Sequence, residues 1–86
     1  MGKDKKSHKL PSIDLHGKKT DEVPDLVDRF LMKNQSQSRV RIVTGKGSGA
    51  VQKAVKDYLK LGGYPSSYEQ LPNGKPNSGV LIVFLD

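Results

Sequence analysis

With 86 residues the chain has room for one small domain with a single core, which excludes the large doubly wound sheets that enclose dinucleotides. It contains no cysteine, so disulfides and thiolate-held zinc are excluded, and no apolar run approaches the roughly 18–20 residues of a membrane span. The formal net charge of +6 is unevenly spread: Asp21, Glu22, Asp25 and Asp28 cluster with no Lys or Arg among them, leaving the rest of the chain strongly basic. Such a surface suits a polyanion, although a basic excess can also serve solubility alone. With no apolar secretion segment at the N-terminus, the expected compartment is the cytoplasm and no membrane partner is expected.

The first residues, MGKDKKSHKL, are polar, basic and without periodicity. They read as a flexible tail over residues 1–11, with a boundary near Pro11 and a domain over 12–86. IDLHG predicts a short strand with Ile13 and Leu15 on one face, Asp14 and His16 on the other, and Gly17 at its end. Val23, Leu26, Val27, Phe30 and Leu31 recur at i, i+3, i+4, i+7 and i+8, which predicts an amphipathic helix. Thr20 or Asp21 is its expected cap, and Pro24 is tolerated because it falls in the first turn.

After an NQSQS loop, RVRIV predicts a second strand. A second helix turns Ala50, Val51, Ala54, Val55, Tyr58 and Leu59 inward and Lys53, Lys56 and Lys60 outward, and stops at Gly62 or Gly63. YPSSYEQL reads as an edge strand, since Pro65 cannot donate to a ladder. PNGKPNSG reads as a hairpin turn, and the unbroken apolar run VLIVFL as a central strand. The fold class is therefore α/β: a βαβαββ two-layer sandwich whose four-stranded mixed sheet carries two helices on one face and leaves the other partly open.

Between the second strand and second helix, Gly45-Lys46-Gly47-Ser48-Gly49-Ala50 satisfies the dinucleotide pattern G-x-G-x-x-[GA]. A dinucleotide fold places that loop after its first strand and needs a larger sheet, and no G-x-x-x-x-G-K-[ST] is present, so no nucleotide cofactor is expected. The loop can still form a nest of N–H groups at a helix N-terminus, with Lys46 adding a full positive charge for a phosphate. Packing alone can also call for a tight glycine turn. A βαβ crossover makes the first two strands parallel and brings their C-terminal ends to one sheet edge. That edge collects Asp14, His16 and Gly17 beside Thr44, Gly45, Lys46 and Gly47. A carboxylate, an imidazole and a phosphate nest together suit phosphodiester chemistry. Asp-x-His-Gly is, taken alone, equally a polar strand end.

IDLHG and TGKG, in this order and context, resemble the two motifs of the Smr (small MutS-related) domain family, L-D-L-H-G and [TH]-G-x-G. The resemblance extends over residues 12–86 and includes the lysine-bearing helix and the terminal GVLIVFLD. It is closer to the Smr domain of MutS-like proteins than to stand-alone members, and it implies a fold similar to the C-terminal domain of bacterial translation initiation factor three. It implies nucleic-acid binding, and for several members nicking of DNA or cleavage of RNA. By position, it implies functional roles for Asp14, His16, Gly17, Gly45, Lys46 and Gly47. Ile13 replaces the usual first Leu, Thr44 stands where the subgroup often has His, and the His-Ser segment of many stand-alone members is absent.

Two functions follow as expectations. In an endonuclease, His16 moves a proton, Asp14 orients it or takes a metal ion, and Lys46 stabilises charge on phosphate. Phosphate contacts fall to Gly17, Thr44, Gly45, Gly47, Ser48 and Gly49, with Arg41, Lys53 and Lys56 beside them. No cofactor is certain, and any Mg²⁺ or Mn²⁺ would be held partly by substrate. The alternative is a non-catalytic DNA- or RNA-binding module with the same surface.

Overall fold

Six elements follow in the order β1 (Ser12–Asp14), α1 (Val23–Lys33), β2 (Arg39–Val43), α2 (Ala50–Gly62), β3 (Ser66–Gln70) and β4 (Pro76–Phe84). The computed structural model describes residues 10–47 and 49–85. Most of the expected tail, residues 1–9 with Lys3, Lys5, Lys6 and Lys9, lies outside the described residues. Pro11 already belongs to the sheet edge, its carbonyl accepting a hydrogen bond from the Arg41 N–H at 2.9 Å.

The strands lie in the order β1-β2-β4-β3, with β1 parallel to β2 and the other pairs antiparallel. This is the expected mixed sheet, with VLIVFL central and SSYEQ at the edge. One sheet face carries Leu15, Val40, Ile42, Leu81 and Val83, and Val23, Val27 and Leu31 of α1 with Val55 and Leu59 of α2 close over them. Each such aliphatic side chain contributes about 1.5–3 kcal/mol by leaving water. The opposite face is partly open: Val43, Ile82 and Phe84 are half-buried and lie outside that core. Across it Arg41 of β2 reaches over β4 to Glu69 of β3 in a bidentate pair, 2.7 and 3.1 Å.

Two local expectations are corrected. The N-cap of α1 is Glu22, not Thr20 or Asp21, and it makes no side-chain cap hydrogen bond. A turn closed by the Thr20 carbonyl, which accepts from the Val23 N–H at 3.3 Å, leads into the helix instead. The PNGKPNSG turn is also shorter than expected, because β4 begins at Pro76 and the loop is closed by a Leu71 N–H bond to the Lys75 carbonyl at 2.8 Å. A first strand position is one of the few a proline can occupy.

The hairpin contains the irregularity that matters for function. Tyr68 pairs with Leu81 but Glu69 pairs with Asn77, so Ser78, Gly79 and Val80 have no partner on β3. The backbone of Ser78 and Gly79 is thereby left to bind elsewhere.

Candidate functional site

Parallel pairing in the register Asp14 to Val43 brings the ends of β1 and β2 side by side. The next residues of each, His16-Gly17 and Thr44-Gly45, then run off the same sheet edge. Their contact depends on Gly45, which has a left-handed φ of +81° and whose hypothetical Cβ would sit 3.0 Å from the His16 Cβ. Only glycine satisfies both conditions without displacing the histidine.

The glycine loop is seated on the irregular part of β4. The Gly79 carbonyl accepts from the N–H groups of Thr44 (2.8 Å) and Gly45 (3.1 Å). A Cβ on Gly79 would meet Lys46 Cγ at 3.1 Å and the Gly45 carbonyl carbon at 3.3 Å, so the loop rests directly on its α-carbon. Gln52, in the first turns of α2, donates to the Ser78 carbonyl and, at 3.4 Å, to Thr44 Oγ1. Thr44 is 5% exposed and its hydroxyl lies 3.3 Å from both the Gly45 and Gly79 carbonyls, so it braces the loop from below. With the Thr44 and Gly45 N–H groups bound to Gly79, the Lys46, Gly47 and Gly49 N–H groups make no backbone hydrogen bond among the described residues.

His16 and Asp14 form a pair at the cleft edge. Asp14 Oδ1 accepts from the His16 backbone N–H (3.0 Å) and lies 2.7 Å from Nδ1. The side-chain bond to His16, reinforced by the backbone bond, holds the Asp14 carboxyl below its ordinary value of 3.8. The carboxylate therefore stays ionised near neutrality and favours the tautomer with the proton on Nδ1 and the lone pair on Nε2. Both side chains are more than half exposed, 69% for His16 and 57% for Asp14.

A cleft of about 600 Å³ joins these parts, lined by His16 to Thr20, by Thr44 to Gly47 and by Gly49 to Gln52 on α2. Among the described residues its wall holds three lysines, Lys18, Lys19 and Lys46, and no carboxylate. None of the three forms an ion pair among the described residues. Lys18, Lys19, Gln52 and Gly79 were not singled out from sequence. The HGKKT lysines stood in plain view beside the first motif, whereas the role of Gly79 depends on a register break that no local pattern encodes.

The structure thus brings together His16, Gly17, Thr44, Gly45, Lys46, Gly47 and Gly49, with Asp14 behind His16. Ser48 lies outside the described residues. Arg41 is elsewhere, on the open sheet face and bound to Glu69, whose carboxyl it holds below the ordinary value. Lys53 and Lys56 line a neighbouring groove, Lys53 paired with Asp57 at 2.9 Å and Lys56 bonded to the Tyr68 hydroxyl at 2.6 Å. Among the described residues no three His, Asp or Glu side chains come together as metal ligands. Asp14 offers only its second oxygen, a donor set that does not fit the oxygen-rich shell of Mg²⁺ or Mn²⁺.

Comparison with known proteins agrees with this geometry. The Smr domain family model matches residues 13–86. Endonuclease MutS2 of Latilactobacillus sakei is 35% identical over 80 residues, which is 88% of this chain but 10% of that protein. The crystal structure of the Smr domain of Thermus thermophilus MutS2 superposes with a TM-score of 0.74 at 29% identity, covering 90% of this chain and 99% of that one. The solution structure of the B3BP Smr domain gives a TM-score of 0.70 at 26% identity, covering 87% and 77%. The chain spans about a tenth of the MutS2 length, so it corresponds to one domain of those proteins. It belongs to the Smr domain family.

Proposed function

We propose that the cleft binds a nucleic-acid phosphate and that the Asp14–His16 pair assists cleavage of its phosphodiester bond. The observation that carries this reading is the composition of the wall: one oriented histidine, a glycine loop and, among the described residues, three lysines outside any ion pair and no lining carboxylate. A phosphate entering it gains positive charge from two loops at once, and the nearby Asp14 carboxylate is engaged by His16. That the relatives are named endonucleases supports the same reading.

In the reaction, an attacking oxygen forms a bond to phosphorus while the bond to the leaving oxygen breaks. His16 Nε2 takes the proton from the attacking oxygen, the leaving oxygen takes a proton from water, and the imidazolium returns its proton to solvent. Asp14 fixes the ring and stabilises the imidazolium formed. Lys46 and the Lys46 and Gly47 N–H groups stabilise the charge on the phosphoryl oxygens. No step is routed through a metal ion. Backbone contacts of this kind carry little sequence preference, so structured DNA or RNA is read by shape.

The test is a cleavage panel of branched DNA and folded RNA, with and without Mg²⁺, comparing wild type with His16→Ala and Asp14→Asn. Loss of a proton-transfer group should lower turnover about 100-fold or more while affinity stays within a few-fold. Equal cleavage by wild type and His16→Ala would remove the histidine from the chemistry. Tight binding without cleavage throughout would make the domain a binding module.

A further inference from the structure

The cleft continues past the glycine loop. Gly49 and Gln52 line both it and a second groove of about 590 Å³ between α2 and the start of β3. Lys53, Lys56 and Lys60 stand along this groove with Asp57, which pairs with Lys53 at 2.9 Å, and Lys60 lies about 16 Å down the helix axis from Gly49. Lys60 forms no ion pair among the described residues. Lys56 is held over the Tyr68 ring, 4.6 Å from its centroid, so that charge has a fixed position.

Tyr64 also lines the groove. Its ring rests on the last turn of α2, where a Cβ on Gly62 would meet two ring carbons at 3.0 Å. Its hydroxyl makes no hydrogen bond among the described residues, unlike those of Tyr58 and Tyr68. A fixed, half-buried aromatic ring beside lysines is a combination that holds an unpaired strand, with phosphates on the cations and a base on the ring. A groove of this volume is of nucleotide size.

We infer that the α2–β3 groove takes the unpaired strand continuing from the phosphate at the glycine loop, with its backbone along Lys56 and Lys60 and one base against Tyr64. This rests on the nucleic-acid reading above and adds a substrate class to it: a duplex with an unpaired flank.

The experiment measures fluorescence anisotropy of blunt duplexes, the same duplexes with a three-nucleotide tail at either end, and duplexes with an abasic tail, each in DNA and RNA form. Wild type should bind one tailed duplex about 10-fold more tightly than the blunt one, as expected for one stacked base. Tyr64→Leu, which keeps the apolar contact with the core, should abolish most of that preference and leave blunt-duplex affinity unchanged. Lys60→Glu, at an exposed position, should reduce the preference without touching the core. Equal binding of tailed and blunt duplexes by wild type overturns the inference and leaves the glycine-loop reading standing. A preference that survives in the abasic tail overturns the role of Tyr64. Absence of binding to every probe overturns the underlying reading as well.

Discussion

Of the glycines in the loop, Gly45 and Gly47 look alike in sequence and differ completely in what they do. Gly45 has a positive φ and touches His16, whereas Gly47 has neither a positive φ nor any atom within 4 Å of a Cβ placed on it. Gly45→Ala should therefore cost about 1–2 kcal/mol from the left-handed backbone alone, with a further loss as His16 is pushed away. Gly47→Ala should stay within about 0.5 kcal/mol of wild type. Urea unfolding of the two variants checks this, and indistinguishable midpoints would mean that Gly45 does not hold the left-handed conformation. The sequence showed that a phosphate-type loop followed β2, because glycine spacing and element order are local. It did not show which glycine is structurally indispensable, because that depends on which neighbour the loop meets. The Asp14–His16 pair was legible in part: spacing two apart put both side chains on one side. But β1 ends at Asp14, and it is the turn after it, closed by the His16 N–H on Asp14 Oδ1, that brings Nδ1 to 2.7 Å.

At the scale of elements, the helix faces and strand order followed from apolar periodicity, and the departures sit where tertiary partners override local pattern. Glu22, and not a hydroxyl or Asp, occupies the α1 cap because a preceding turn delivers the chain already folded. The β4 break at Ser78–Val80 is invisible in sequence because it is defined by what β3 fails to pair with. Between the helices, the Tyr58 hydroxyl donates to Asp28 Oδ1 at 2.6 Å. That bond, with burial and the carboxylate charge behind it, pushes the phenol up from 10.0 to about 12. A group whose folded value is raised contributes stability that is complete below its unfolded value and lost as pH rises through the folded one. The window is therefore about pH 10–12, given an unfolded tyrosine near 10. Tyr58→Phe should lower stability by about 0.5–1.5 kcal/mol at neutral pH, the worth of one hydrogen bond. It should also flatten the decline in thermal midpoint between pH 10 and 12. An unchanged slope in that window would show that the α1–α2 bond is absent in solution.

Over the whole molecule the charges are sorted by face, and the sorting decides which lysines and arginines read as contacts. The acids of α1 are partly occupied within their own layer, Asp25 with Arg29 and Asp28 with Tyr58. Lys18, Lys19 and Lys46 face one cleft and form no ion pair among the described residues, while Arg41, equally basic in sequence, is consumed by Glu69 on the far side of the sheet. Sequence charge counts treat these residues as equivalent; only the fold separates them. In a titration of log K against log salt with a short duplex, Lys18→Ala, Lys19→Ala and Lys46→Ala should each reduce the slope by about 0.7–0.9, the release accompanying one lost phosphate contact. Arg41→Ala should leave the slope unchanged, because its charge is compensated in the free protein and points away from the cleft. It should lower stability instead, by about 1 kcal/mol, since the bidentate pair is only partly screened by water. Glu69→Gln supplies the converse measurement: freeing Arg41 without removing it should again leave the slope alone if the nucleic acid never crosses the open sheet face. A slope that falls with Arg41→Ala or steepens with Glu69→Gln would instead move the binding surface to that face, and the cleft lysines would then have to be insensitive for the same data to be consistent.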